Sequence, residues 1–135
     1  MNLATVMDQL GTALETLDKV NVFPFTTDRI TPPAAIVVWP DTIDYDTAMA
    51  RGGDRITLPV YLVVSRMDAK NARDRLARFV NGAGDASVKQ ALESYAYTAC
   101  DSVRVTQATI GEPRINGVDY LAAQFQLDII GPGGA

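Results

Sequence analysis

Arg55-Ile56-Thr57-Leu58-Pro59-Val60-Tyr61-Leu62-Val63-Val64-Ser65 is the stretch whose reading decides the fold class. Ile56, Leu58, Val60, Leu62 and Val64 recur at every second position, which is the period of a strand with one buried face. Thr57, Tyr61 and Ser65 fall on the other face, with Val63 also apolar there. Pro59 donates no backbone hydrogen bond, which points to an edge strand or a bulge. Upstream, Ala34 to Trp39 is a continuous apolar run around Ile36, Val37 and Val38 and suits a strand covered on both faces. Pro40 ends it, and Trp39 reads as a packed strand end. Residues 34–65 therefore read as two antiparallel strands joined by a long arm, 41–54, and Thr42 to Met49 can extend both strands beyond the body of the sheet.

On the C-terminal side, Asp68 can cap a helix from Ala69 to about Asn81, with Ala69, Ala72, Leu76, Phe79 and Val80 inward. Gly82-Ala83-Gly84 stops it. Ser87-Val88-Lys89-Gln90 fits a Ser-x-x-Gln capping box for a second short helix to about Tyr95, burying Val88, Ala91, Leu92 and Tyr95. The last third reads as a hairpin. Ser102 to Ile110 is β-rich, with Val103, Val105 and either Gln107 or Thr109 on one face. Leu121, Ala123, Phe125, Leu127 and Ile129 alternate with Ala122, Gln124, Gln126 and Asp128. Asn116-Gly117 is the turn signal between these strands. On the N-terminal side, Leu3, Met7, Leu10, Leu14 and Leu17 share one face of a helix over residues 3–19. Val20, Val22 and Phe23 are β-like up to Pro24, and Thr26 to Pro33 reads as a polar loop. The sequence thus predicts an α+β fold in the order α-β-β-β-α-α-β-β: a mostly antiparallel sheet of four to five strands, packed with the N-terminal helix and the two middle helices. It forms one domain, 1–130, followed by a flexible Gly/Pro tail, 131–135.

Composition bounds the chemistry. The chain has 135 residues, 47% hydrophobic and 21% charged, which are values of a single globular domain. It holds 12 Lys+Arg against 16 Asp+Glu, and its pI is near 4.6. That balance argues against nucleic-acid recognition, which needs clustered Lys and Arg. Histidine is absent, so Ser-His-Asp and Cys-His catalysis, His-ligated zinc and imidazole general-base chemistry are excluded. The single cysteine, Cys100, cannot form an internal disulfide and reads as a buried small hydrophobe in a reducing compartment. With no basic leader ahead of an apolar core and no apolar run of ~20 residues, the expectation is a soluble cytoplasmic protein without membrane contact.

Asp41, Asp44 and Asp46 have the wrong spacing for a calcium loop, and no Glu follows them. Gly82-Ala83-Gly84-Asp85 lacks the Lys-Ser/Thr of a phosphate loop, and Arg51-Gly52-Gly53-Asp54 reads as a bend beside a strand. No catalytic, metal or cofactor-binding residue is expected. Charge distribution is more informative: net −5 over residues 1–50, +4 over 51–80 and −3 over 81–135. Arg66, Lys70 and Arg73 lie at steps of four and three within the basic block. A subunit with a basic side and acidic sides is suited to head-to-tail contact with its own copies. The candidate oligomer-interface residues are Asp41, Asp44, Asp46, Arg51, Asp54, Arg66, Lys70 and Arg73.

Several stretches together resemble the tail terminator (tail-completion) proteins of long-tailed, siphovirus-type bacteriophages. They are the leading helix, Pro33-Ala34-Ala35-Ile36-Val37-Val38, the arm from Tyr45-Asp46-Thr47 to Arg51-Gly52-Gly53-Asp54, and Pro59-Val60-Tyr61-Leu62-Val63-Val64. The break from Asn81-Gly82 to Ser87, then Val103-Arg104-Val105 and Gly117-Val118-Asp119-Tyr120-Leu121, complete the set. The resemblance implies a virion protein, not an enzyme, assembled in the host cytoplasm and sited at the head-proximal end of the tail. It implies a homo-oligomer, a hexameric ring, seated on the tail tube protein. That ring ends tube polymerisation and offers a surface for the head-tail connector protein. DNA passes through the ring without specific binding, and no cofactor is involved. The alternatives are a phage neck or head-completion connector protein and, in a different class, a small cytoplasmic ligand-binding domain. If the arm orders on contact with a neighbour, amides of residues 41–54 exchange quickly in the isolated subunit and slowly after assembly. Hydrogen exchange with equal protection in both states would remove the arm from assembly.

Overall fold

The structure, a computed structural model, describes residues 2–17, 20–23, 33–45, 53–66, 70–115 and 117–132. Its elements are α1 (Leu3–Leu14), β1 (Asn21–Phe23), β2 (Ala34–Val37), β3 (Thr42–Asp44), β4 (Gly53–Arg66), α2 (Ala72–Val80), α3 (Val88–Ser94), β5 (Ser102–Gly111), β6 (Arg114–Ile115) and β7 (Val118–Pro132). The sheet runs β1-β2-β4-β7-β5; β3 also lies along β4, and β6 along β7. All pairings are antiparallel except β1 with β2. The fold is the expected mostly antiparallel α+β sheet with three helices, with the short strands β3 and β6 added to the expected order.

The long antiparallel pair β4–β7 is the spine. Leu58 lies opposite Leu127, Val60 opposite Phe125 and Leu62 opposite Ala123. All six are essentially excluded from solvent. The same core takes in Val6, Leu10 and Leu14 of α1, Leu76 and Phe79 of α2, and Val88 and Leu92 of α3. All three helices therefore pack on one face of the sheet. Burying each large side chain contributes roughly 1.5–3 kcal/mol before the entropy of ordering is counted.

Local chemistry sets the helix ends. The Asn2 side chain caps α1 by accepting from the Thr5 N–H at 3.2 Å. The helix ends at Leu14, earlier than residue 19, because the next turn tightens: Leu17 N–H donates to the Leu14 carbonyl at 3.0 Å. Leu17 is still buried. Asn71 occupies the N-cap position of α2, and the expected cap Asp68, with Ala69, lies outside the described residues. The Ser87 hydroxyl accepts from Gln90 N–H at 3.1 Å, as the capping motif requires. The Gln90 side chain, however, accepts from Gly84 N–H at 2.9 Å and so secures the loop before α3. Just before β7, Gly117 has φ +80°, a left-handed conformation that favours glycine; Asn116, the other residue of the expected turn, lies outside the described residues.

Three expectations are corrected. Pro59 is neither on an edge strand nor at a bulge of its own strand; it sits in central β4, opposite Gln126. Its partner on the other side is interrupted instead. Val37 faces Val60 and Thr42 faces Thr57, so residues 38–41 span the space opposite Leu58 and Pro59. Thr57 turns its carbonyl toward that side, accepting from Asp41 N–H at 2.8 Å. Pro59 shares its orientation, so the missing N–H falls at the gap, where no ladder bond is lost. Trp39 is not a packed strand end: it lies in that interruption and is 70% exposed. Finally, the tail contributes to the sheet, whereas the pairing of the arm at Thr42–Asp44 is the strand extension expected there. Thr42–Asp44 pair with β4, and Gly53 and Asp54 pair with Pro132 and Gly131, so β7 runs past residue 130. Residues 46–52 and 133–135, with most of the expected loop at 26–33, lie outside the described residues.

Replacing Leu58 with Ala should cost about 2–5 kcal/mol, since a fully buried side chain at the spine leaves a cavity that rigid neighbours cannot fill. Urea unfolding of wild type and variant measures this, and a loss below 1 kcal/mol would show a core able to collapse.

Candidate functional site

The expected interface residues separate along β4. Asp41 precedes β3 and Asp44 is its last residue, beside the first half of β4; Asp44 is opposite Arg55 and exposed. Asp41 is exposed too, and its carboxylate accepts from Gln126 Nε2 at 3.5 Å, reaching across β4 to β7. Asp54 is only 9% exposed and shares the inner face with Ile56, so it is not a solvated contact charge. Arg66 ends β4 opposite Tyr120, Lys70 follows in the turn, and Arg73 is in the first turn of α2; all three are exposed. Asp46 and Arg51 lie outside the described residues. The structure thus gathers Asp41 and Asp44 at one end of β4 and Arg66, Lys70 and Arg73 at the other.

Sequence reasoning missed several features. Arg55 Nε pairs with Asp128 at 3.2 Å on the face away from the helices. Tyr45, just past β3, is 72% exposed and with Trp39 gives this edge two large exposed aromatics. Arg75 and Arg78, rather than Arg73, line a cleft of about 440 Å³ with Asn71, Asp85, Leu17 and Phe79. Their spacing of three around Leu76 was the available signal. A second groove, about 360 Å³, runs over Tyr61, Ala122 and Gln124 on the open sheet face, below Glu112 and Pro113. Among the described residues, no group of three or more His, Cys, Asp or Glu could hold a metal ion, and no helix is long and apolar enough to cross a membrane.

The 95–100 segment is anchored by Gln9 of α1. Its Nε2 donates to Thr98 Oγ1 at 2.6 Å, and its Oε1 accepts from the N–H groups of Thr98 and Ala99 at 3.2 and 3.1 Å. Tyr97 donates its hydroxyl to the Leu92 carbonyl at 2.6 Å and meets Tyr95 edge-on, ring centroids 5.0 Å apart. Burial, with Cys100 and Tyr95 nearby, pushes the Tyr97 phenol well above its ordinary range. Cys100 is 5% exposed, and burial followed by the Asp101 charge pushes its thiol up. These are packing roles, not reactive ones.

Glu93 is the structured carboxylate of the β5 edge. Its Oε2 accepts from Val105 N–H at 2.9 Å, and its other oxygen binds Lys89. Burial pulls its pKa upward. The Lys89 hydrogen bond, the Val105 N–H and the Lys89 and Arg104 charges outweigh that and hold the carboxyl below its ordinary value.

No family model matches the chain, and no curated protein does.

A Glu93 pKa that is lower in the folded chain means stability that is complete above the unfolded value of about 4.3 and lost as pH falls through the folded value. Wild type should exceed Glu93→Gln in urea stability by a constant margin above about pH 5, and the margin should shrink below pH 4. A margin that does not vary with pH would mean that the carboxylate charge is not what holds the edge. Cys100 should alkylate many-fold more slowly in the folded chain than in denaturant at neutral pH, followed by mass spectrometry with iodoacetamide.

Proposed function

We propose that this chain is a ring-forming structural protein of a long-tailed bacteriophage. In this reading it seats on the last ring of the tail tube, ends tube growth and presents a surface to the head-tail connector. The observation that carries the reading is the polarity of the subunit along β4. Asp44 stands beside residue 55 and Arg66 at residue 66, roughly 36 Å apart at ~3.3 Å per residue. Lys70 and Arg73 extend the basic end, and Asp41 extends the acidic one. A subunit with unlike ends suits a particle that contacts two different partners, a tube on one side and a connector on the other. The net charge of −4 suits a ring that passes DNA without holding it, because retention would need Lys and Arg on phosphates.

The stretches that carried the resemblance also form the framework. The leading helix is α1, Ala34–Val37 is β2, Pro59–Val64 lies in β4, and the Asn81–Ser87 break separates α2 from α3. Sedimentation and electron microscopy test the reading: ring-shaped oligomers should form, and adding them should stop polymerisation of the cognate tube protein. A protein that stays monomeric and leaves tube growth unchanged overturns it.

The charge change Arg66→Glu with Arg73→Glu should leave the chain folded, because exposed charges contribute little to core stability. It should weaken ring formation or tube capping, each contact charge being worth about 0.2–1 kcal/mol but repeated in every subunit. Circular dichroism checks folding and sedimentation checks assembly; a folded double variant that assembles and caps normally would make these residues an ordinary solvated surface.

A further inference from the structure

Among the described residues β1, β3 and β5 each pair on one side only, and the backbone directions of β5 and β3 can be read from the bonds that are made. Asp101 N–H donates to the Ile130 carbonyl at 2.8 Å, and the Thr106 hydroxyl donates to the Gln126 carbonyl at 3.1 Å. Even-numbered residues of β7 therefore turn their backbone groups toward β5, opposite Arg104, Gln107 and Thr109. The alternate residues of β5, Val105, Ala108 and Ile110, turn theirs outward. Val105 N–H is taken by Glu93. Those of Ala108 and Ile110 have no protein partner among the described residues. The segment Thr106–Gly111 is exposed, carries no charge and no proline, and includes Ile110 at 56% exposure. Natural edge strands are usually blunted by charge, proline or cover, and this half of β5 has only the register shift between Val105 and Gln107.

β3 is an open edge on the opposite side of β4. Odd-numbered residues of β4 face it, opposite Thr42 and Asp44, so Ile43 turns its backbone groups outward. Tyr45 continues the same alternation and is 72% exposed. Strand directions alternate through β3-β4-β7-β5, so β3 and β5 run oppositely. A copy set beside another in the same orientation brings its β3 antiparallel to its neighbour's β5. The faces also agree. Ile43 lies opposite Ile56, and Ile110 opposite Ala123, both on the helix-covered face. In a continued sheet, Ile110 would meet Ile43 and Tyr45, while Asp44 would lie on the polar face with Gln107 and Thr109.

We propose that the outer edge of β5, at Ala108 and Ile110, pairs with the β3 edge of a second copy and continues the sheet head to tail. The occupant is a second copy because each chain carries both halves of the contact on opposite sides of its sheet and cannot join them itself. The contact is heterologous, so repetition yields a ring if the rotation closes; the proposal rests on the ring reading above and names where its subunits join.

Two variants test it. Ala108→Pro removes an outward N–H at an edge, a position where proline is compatible with a strand, and Ile43→Pro does the same on the other edge. Ile110→Lys is the companion should Ala108→Pro fail to fold, since it alters the edge without touching the backbone. With folding checked by circular dichroism, each variant alone should associate at least tenfold more weakly than wild type in sedimentation. Mixed in equal amounts, Ala108→Pro and Ile43→Pro should form a dimer, the intact β5 of one meeting the intact β3 of the other. Normal assembly by Ile43→Pro with loss in Ala108→Pro would mean that β5 pairs with β5, and would overturn the proposal. Rings formed normally by wild type and all variants would overturn it and leave the ring reading standing. Wild type that stays monomeric at every concentration would overturn both.

Discussion

The structure depends on one pairing, β4 with β7, and on the demand that its inner face be dry. The two strands are the longest among the described residues. They set Leu58, Val60 and Leu62 against Leu127, Phe125 and Ala123 in register. A one-residue slip would turn every one of these side chains to the solvent face. The helices are the cover this face needs: α1 and α3 meet each other and the β1–β2 and β5 sides, while α2 lies over β4 and β7. The β3 gap follows from the same constraint. A proline in the central strand is tolerated because residues 38–41 leave the ladder opposite its missing N–H.

Polar groups are used to lock the less regular parts around that core. No buried side-chain nitrogen or oxygen among the described residues lacks a hydrogen-bond partner. Gln9 holds the 95–100 segment from α1, and Glu93 holds the first half of the β5 edge from α3. Ser87 both caps α3 and donates to the Asn81 carbonyl at 2.5 Å, tying the two middle helices across their break. The regions left outside these locks are the ones that face outward: the second half of β5, the β3 edge with Trp39 and Tyr45, and the basic end at Arg66, Lys70 and Arg73. The Arg75–Arg78 cleft is the feature that a ligand-binding reading would start from.

Local pattern alone determined the spine strand, its β7 partner, the apolar stripe of α1 and the Ser87 cap, because each is a short-range consequence of side-chain periodicity or of a side chain reaching its own backbone. Length, acidity and the absence of histidine narrow the chemistry by themselves. Only the tertiary structure decided that Pro59 is central, that Trp39 is exposed, that Asp54 is enclosed, and that Asp41 and Asp44 stand at the opposite end of β4 from Arg66, Lys70 and Arg73. These are properties of which strand lies beside which. Strand order joins residues far apart in the chain, and no local pattern encodes whether a given edge meets a neighbour, a gap or water.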